Sequence, residues 1–358
     1  MHIDLYVALA GLIVGFTVGL TGMGGGALMT PILVLLFNVQ PLAAVSSDLV
    51  AAMVMKPVGG SVHMRRGTVN WALVRWLAVG SVPSAFAGVL LLKHLGNEAQ
   101  AEDRLKIVLG AALIVASASI VVKSLIQLLQ ARRREALMIS GRLPEVRPFR
   151  LKRVPTVIIG VVGGAVVGMT SVGSGSLIIV ALLLLYPMLA SRELVGTDLV
   201  QAIPLVAAAA LGHILFGDFR LSLTASVLLG SLPGVYVGAR VSSRAPDGLI
   251  RPALVFVLLA SGLKLLNMGT PQLAITLLVF AMLGLPAWGV IDAVHRPDHL
   301  WGLAGLRKKP WIVAQAVGAP FGIGFGAALA YFTRARRRLA TAAVLAFVSV
   351  WGDELPAA

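Results

Sequence analysis

Cysteine is absent from this 358-residue chain, which excludes disulfide bonds, thiolate metal ligands and thiol catalysis. Charged residues are also scarce, at 13% of the chain. A typical soluble domain has about 25%, so much of this chain's surface is expected to face lipid. No residues have the spacing of a metal site or of a nucleophile and its base. The sequence therefore indicates neither an enzyme nor a bound cofactor.

Apolar residues dominate what is present, at 58% of the chain with a mean hydropathy of +0.91. Runs long enough to cross about 30 Å of hydrocarbon recur along the whole length. Because the runs are continuous rather than alternating, they predict helices instead of barrel strands. The expected fold is an all-α, polytopic membrane protein with about 8–10 transmembrane helices. The candidate spans are 5–37, 42–62, 71–92, 105–130, 154–187, 197–216, 222–241, 252–267, 271–291 and 310–332.

The net charge of +15 lies mostly in loops between these spans. Its largest cluster occupies residues 132–153, and basic loops beside spans are typical of the cytoplasmic side. This placement favours attraction to anionic lipid headgroups over binding to nucleic acid. We expect a bacterial-type inner membrane protein with the 131–153 loop in the cytoplasm.

Two halves of the chain resemble each other at a constant spacing. VGLTGMGGGAL at 18–28 matches VGMTSVGSGSL at 167–177, and GSVPSAFAG at 80–88 matches GSLPGVYVG at 230–238. The offset is 149 residues at the glycines and 150 after them. Such duplication is common in secondary transporters, where substrate binds between the repeats. The predicted organisation is membrane repeat A at 1–130, the basic loop at 131–153, membrane repeat B at 154–267 and a two-span extension at 268–358.

The glycine-rich segments predict a break in each repeat. As one straight helix at about 1.5 Å per residue, residues 5–37 would be about 50 Å long, well over the bilayer thickness. A broken helix exposes backbone N–H groups at a positive helix end, where anions bind. Close packing of helices is the alternative use of these small residues. The candidate anion-binding residues are Thr21, Gly22, Gly24, Gly25 and Gly26 in repeat A, and Thr170, Ser171, Gly173, Ser174, Gly175 and Ser176 in repeat B.

Ionisable residues inside apolar runs are functional candidates. Asp48 and Asp198 are repeat-related, and either relay a proton or hold a helix end. Lys56 has no counterpart in repeat B. It either pairs with Asp48 or attracts the anion, and we favour the anion. His63 and His213 lie near span ends, where they either form interfacial hydrogen bonds or couple transport to protons.

The motifs resemble those of the TauE/SafE family of sulfite and organosulfonate exporters. The resemblance is carried by VGLTGMGGGALMTP, by VGTDLV at 195–200 and by GSLPGVYVG, and it covers about residues 5–267. It implies a secondary transporter that exports a small anion, with functional interest in Gly24–Gly26 and Gly173–Gly175. It does not specify the substrate, because members are associated with sulfite, sulfoacetate and other small anions. Residues 268–358 depart from the family pattern.

The topology depends on whether the glycine segments cross the membrane or fold back. Crossing would make the two repeats parallel, whereas folding back would invert them. The inverted arrangement leaves fewer basic residues outside and is favoured, although it places residues 334–338 outside. An anion channel and a non-transporting membrane scaffold are the alternative functions. The oligomeric state is left open.

Overall fold

A computed structural model describes residues 4–21, 26–93, 98–139, 150–187, 189, 191–241, 247–296, 298–319 and 323–342. These residues form helices and no strand, so the all-α prediction is confirmed. The helices are α1 Leu5–Thr21, α2 Gly26–Leu36, α3 Pro41–Arg65, α4 Trp71–Lys93, α5 Glu98–Ile139, α6 Arg153–Thr170, α7 Leu177–Leu185, α8 Ser191–Phe216, α9 Leu221–Val241, α10 Asp247–Leu265, α11 Thr270–His295, α12 Asp298–Leu303, α13 Lys308–Gly318 and α14 Ile323–Ala330. A π-helical turn, Tyr331–Ala335, and helical residues 336–342 follow.

Six helices in the described part of the chain are long and apolar enough to cross a membrane. Shorter apolar helices lie at Leu5–Gly19, Ala27–Leu36 and Leu254–Leu265. The protein is therefore an integral membrane protein. The six candidate spans are Trp71–Leu92, Glu102–Gln127, Arg153–Thr170, Glu193–Phe216, Leu221–Gly238 and Thr270–Val294.

The first two helices of each half begin and end at the same end of the molecule. Asp4, just before α1, lines the same cleft as Phe37, just after α2. In the second half, the Tyr186 hydroxyl after α7 accepts a hydrogen bond from the Lys152 N–H before α6, at 2.9 Å. It also lies 2.6 Å from Thr156 Oγ1. The chain thus turns back between α1 and α2, and again between α6 and α7.

Helices α3 and α8 pack against each other in opposite directions. Ser46, near the start of α3, is 2.8 Å from His213, near the end of α8. At the other end, Gly196 near the start of α8 lies against His63 near the end of α3. We call the two ends of the molecule the Asp4 end and the Arg66 end, after the residues that lie there.

Three further pairs of helices pack across the two halves of the chain. Helix α1 packs along α9, and α4 packs along α6, each pair running in parallel. Helices α5 and α10 are antiparallel, and Ser117 Oγ donates a hydrogen bond of 3.2 Å to Val255 O between them. The main hydrophobic core includes residues from α1 to α10.

The C-terminal extension differs from the two spans expected. Helix α11 qualifies as a span, but the second expected span, 310–332, consists of α13 and α14. These two helices form a hairpin, because the rings of Trp311 in α13 and Tyr331 after α14 have centroids 6.0 Å apart. Asp292 of α11 accepts a hydrogen bond of 2.6 Å from Tyr331 and lies 3.6 Å from Arg336. Residues 334–338 therefore lie at the Arg66 end, not at the opposite end as the single span required.

Helix α5 is also longer than expected. It continues to Ile139, so residues 131–139 are helical instead of part of a loop. Residues 140–149, which belong to the predicted loop, lie outside the described part of the chain.

Candidate functional site

The connection between α6 and α7 is a buried turn formed by residues 171–176. Helix α6 ends at Thr170, and Ser171 then adopts a left-handed conformation with a φ of 59°. Gly173 and Gly175 have φ values of 123° and 97°, which side chains of L-residues rarely tolerate. The glycines therefore allow the chain to reverse direction within six residues. We call this segment the 171–176 turn.

The first backbone donors of α7 are satisfied inside this turn. The N–H groups of Leu177 and Ile178 both point at Gly173 O, at 3.0 and 3.5 Å. Two of the four N–H groups that a helix start usually leaves free are therefore engaged. The side chains of Ser174 and Ser176 are buried in the turn, and Ser176 does not cap the helix with its hydroxyl.

Three ionisable side chains converge on the 171–176 turn. The Lys56 ammonium, from α3, donates a hydrogen bond to Ser174 Oγ. Asp198, from α8, lies near the Gly175 N–H. Asp48, also from α3, lies near Ser171. The turn thus lies beside the three charged residues that the sequence indicated inside α3 and α8, Asp48, Lys56 and Asp198.

The charges in this group are buried and only partly compensated. Asp48 and Asp198 are 0% and 1% exposed, and Lys56 is 8% exposed. Lys56 attracts both carboxylates, Asp198 more strongly than Asp48. Thr30 Oγ1 donates to Asp48 Oδ2 at 2.7 Å. Among the described residues, however, the Oδ1 atom of each aspartate has no hydrogen-bond partner.

The two aspartates occupy equivalent positions in antiparallel helices. Each is the eighth residue of its helix, α3 or α8. At about 1.5 Å per residue, each lies about 10 Å along the axis from its own helix start. Because α3 starts at the Asp4 end and α8 at the Arg66 end, Asp48 lies nearer the Asp4 end and Asp198 nearer the Arg66 end.

The hydrogen-bond partners of the two histidines lie outside the 171–176 turn. His213 is fully buried, with Nδ1 2.8 Å from Ser46 Oγ and Nε2 2.8 Å from Gly168 O. His63 is partly exposed, and its Nδ1 lies 2.9 Å from Thr68 Oγ1. Both histidines join neighbouring elements near the ends of α3 and α8.

The structure brings together one of the two predicted glycine segments and the buried charges. All six repeat-B candidates lie in or next to the 171–176 turn, beside Lys56, Asp48 and Asp198. In repeat A, Thr21 ends α1 and Gly26 begins α2. Gly22, Gly24 and Gly25 lie outside the described residues.

Sequence reasoning missed two side chains that act on the aspartates. Thr30 bonds to Asp48, and Lys123 of α5 attracts Asp198. Lys123 interrupts the apolar run 105–130, so the rule that selected Lys56 would also have selected it. Thr30 gave no such signal, because a hydroxyl inside a helix commonly bonds to its own backbone.

Comparison with known proteins places these features in context. The family model described as "Sulfite exporter TauE/SafE" matches residues 7–265. The chain is 40% identical over 262 residues to the "Probable membrane transporter protein YjnA" of Bacillus subtilis (strain 168), covering 73% of this chain and 98% of the relative. It is 25% identical over 267 residues to "Probable membrane transporter protein YdhB" of the same organism, covering 74% and 100%. No solved structure was found to match.

Proposed function

The chain belongs to the sulfite exporter TauE/SafE family, and on that premise we propose that this membrane transporter is a secondary exporter of a small anion such as sulfite or an organosulfonate. The observation that carries the proposal is the buried Lys56 ammonium, which donates to Ser174 in the 171–176 turn. A cation inside an apolar protein is costly to keep and usually marks a pathway for substrate or ions.

In this proposal, the anion replaces Ser174 Oγ as the acceptor for Lys56. The hydroxyls of Thr170, Ser171, Ser174 and Ser176 then supply further donors. Because the N–H groups of Leu177 and Ile178 already point at Gly173 O, the lysine and the hydroxyls provide more of the attraction than the start of α7. We keep the equivalent residues of the first half, Thr21, Gly22, Gly24, Gly25 and Gly26, as further candidates for binding the anion.

The transporter is proposed to consist of two inverted repeats, 1–130 and 154–267. Reciprocal contacts between the halves support this arrangement. Ser46 contacts His213, while Gly196, the equivalent of Ser46, contacts His63, the equivalent of His213. The reversals between α1 and α2 and between α6 and α7 support it as well. They leave three crossings per half, so successive halves start from opposite sides.

The proposed orientation puts the Arg66 end, including the 131–153 segment, in the cytoplasm. Basic residues are concentrated at that end, as the positive-inside rule requires. They include Arg65, Arg66, Arg150, Lys152, Arg153, Arg240, Arg296, Arg307, Lys308, Lys309, Arg334, Arg336, Arg337 and Arg338. The described part of the opposite end has Arg104, Lys106, Arg220 and Lys264.

Efflux from loaded vesicles tests the proposal directly. Purified protein would be reconstituted, and the flux of sulfite, thiosulfate, sulfoacetate, methanesulfonate and simple carboxylates would be compared with that of protein-free vesicles. We expect saturable flux of at least one sulfur oxyanion or sulfonate. Saturation separates a carrier from a channel, and flux no faster than in protein-free vesicles for every anion contradicts transport.

The Lys56→Met variant tests the proposed site. Hydrogen bonds to charged groups contribute about 1.5–3 kcal/mol, and each 1.4 kcal/mol is tenfold in affinity, so anion affinity should fall by about tenfold or more. Lys106→Met is the matched control, because Lys106 is partly exposed and pairs with Asp103 at 3.3 Å. Normal flux and affinity in Lys56→Met would exclude the site while leaving transport itself intact.

A further inference from the structure

Three charged side chains lie at the proposed anion site, and a fourth, Lys123, attracts one of them. Asp48 and Lys56 come from α3, Asp198 from α8 and Lys123 from α5. With all four ionised, the two lysines balance the two aspartates. Three uncharged groups also lie near the aspartates. They are the hydroxyls of Thr30 in α2 and Ser171 in the 171–176 turn, and the Gly175 N–H.

This balance is a problem for a site that takes an anion. A bound anion would leave one uncompensated negative charge in a buried position, which is costly in a low-dielectric interior. Its ammonium partner would also be withdrawn from carboxylates that are almost completely buried. Neutralising one carboxylate with a proton restores the balance and releases Lys56 to the anion.

We propose that Asp48 and Asp198 are the proton-binding groups of this transporter, so that each negative charge of the anion crosses the membrane together with one proton. The proposal rests on the proposed anion site and goes beyond it by naming the coupling ion and its carriers. A proton from water binds to a carboxylate oxygen, giving a neutral carboxylic acid. No other bond changes, and the same proton is released to water when the anion leaves.

In this proposal, each aspartate exchanges protons with a different end of the molecule. The Oδ1 atom of each is buried and without a partner among the described residues, so each can accept a proton without displacing a hydrogen bond. Asp48 lies nearer the Asp4 end and Asp198 nearer the Arg66 end, because α3 and α8 are antiparallel. Asp198 exchanges its proton with the Arg66 end and Asp48 with the Asp4 end, while Lys56 lies between them on α3.

The test measures protons and anions together. Reconstituted wild-type protein would be given a methanesulfonate gradient, with a pH-sensitive dye inside the vesicles and the membrane potential clamped. This sulfonate stays ionised near neutral pH, so any proton that moves with it is carried by the protein. We expect proton movement in the same direction as the anion, in a one-to-one ratio, and anion release from the vesicles driven by an imposed pH gradient with the acidic side inside.

Asp48→Asn and Asp198→Asn should each lose the proton movement. Asp103→Asn is the control, since Asp103 is 73% exposed on α5 and far from the turn, and it should behave as wild type. Asp48→Glu and Asp198→Glu should keep the coupling, because glutamate retains a carboxyl group that binds a proton. If only the shape of aspartate mattered, the longer glutamate would not preserve function.

Two results would overturn the proposal. One is wild-type sulfonate flux without proton movement, including flux driven by sodium instead. The other is full coupling in both asparagine variants. The absence of any anion flux in wild type would instead reject the proposed transport function, so the two failures are distinguishable.

Discussion

His213 joins two helices through both of its ring nitrogens. Nε2 faces the carbonyl oxygen of Gly168, which can only accept a hydrogen bond, so Nε2 carries the proton. In the neutral ring, Nδ1 is then the acceptor for the Ser46 hydroxyl. A fully buried imidazole with both nitrogens engaged is suited to holding α8 against α3 and α6. We infer that His213 is structural, while proton coupling is left to the aspartates.

Replacing His213 with leucine should lower stability. The substitution leaves the buried Gly168 O without the hydrogen bond that His213 donates, and an unsatisfied buried group costs about 1–3 kcal/mol. His63→Leu is the matched comparison at the repeat-equivalent position, where the ring is partly exposed and should cost less. The midpoint of thermal unfolding in detergent measures both. An equal fall in the unfolding midpoint of the two variants would contradict a special structural role for His213.

At the residue scale, charge was predictable and hydrogen bonding was not. Asp48, Lys56 and Asp198 were identified because an ionisable residue in an apolar run needs a special reason. Lys56 was expected either to pair with Asp48 or to attract the anion, and it bonds to Ser174 of the other half. That partner is 118 residues away in sequence, so no local pattern could have indicated it.

At the scale of elements, glycines bring two pairs of helices into backbone contact. A methyl group on Gly80 of α4 would lie 2.3 Å from Val157 O of α6. A methyl group on Gly230 of α9 would lie 1.7 Å from Ala8 O of α1. Gly230 follows Gly80 by 150 residues and Val157 follows Ala8 by 149, which are the offsets between the matching sequence segments. Small residues thus set the distance between α1 and α9 and between α4 and α6, as is common where helices pack within lipid.

Gly80→Ala and Gly230→Ala should both destabilise the protein. Neither added methyl group fits without moving a helix backbone, and overpacking of this kind costs about 1–3 kcal/mol. Gly326→Ala in α14 is the control, because a methyl group there meets no atom within 4 Å. Thermal unfolding midpoints in detergent would be compared for the three variants. A Gly230→Ala protein as stable as Gly326→Ala would show that the helices can separate freely.

Some elements were predictable from hydropathy and others were not. The apolar runs predicted α4 and α9 to within one residue of both ends, whereas α8 begins six residues before the predicted 197–216. The run 310–332 was read as one span, because a hydropathy window does not detect a reversal. Gly318 and Gly324 lie against each other where α13 and α14 meet, and only the contact shows the hairpin. The polar end of α5 was read as a loop because charged residues follow the apolar run, although such residues are also good helix formers.

At the scale of the whole molecule, the inverted arrangement accounts for both the chain reversals and the distribution of basic residues between the two ends. In the parallel alternative, equivalent loops of the two halves lie on the same side of the membrane. In the inverted one, they lie on opposite sides. The hairpin of α13 and α14 returns residues 334–338 to the Arg66 end, which removes the main exception that the sequence had left against the inverted arrangement.

Single cysteines can distinguish these arrangements, because the natural chain has none and needs no background removed. Arg66 follows α3 and Arg220 precedes α9, and both are exposed, so Arg66→Cys and Arg220→Cys form a matched pair. In intact cells, we expect a membrane-impermeant maleimide to label Arg220→Cys and to spare Arg66→Cys until the membrane is opened. The positive-inside rule sets this direction, since the Arg66 end is the more basic one. Labelling of both cysteines from the same side would reject inversion, because loops that follow equivalent helices of inverted repeats cannot share a side.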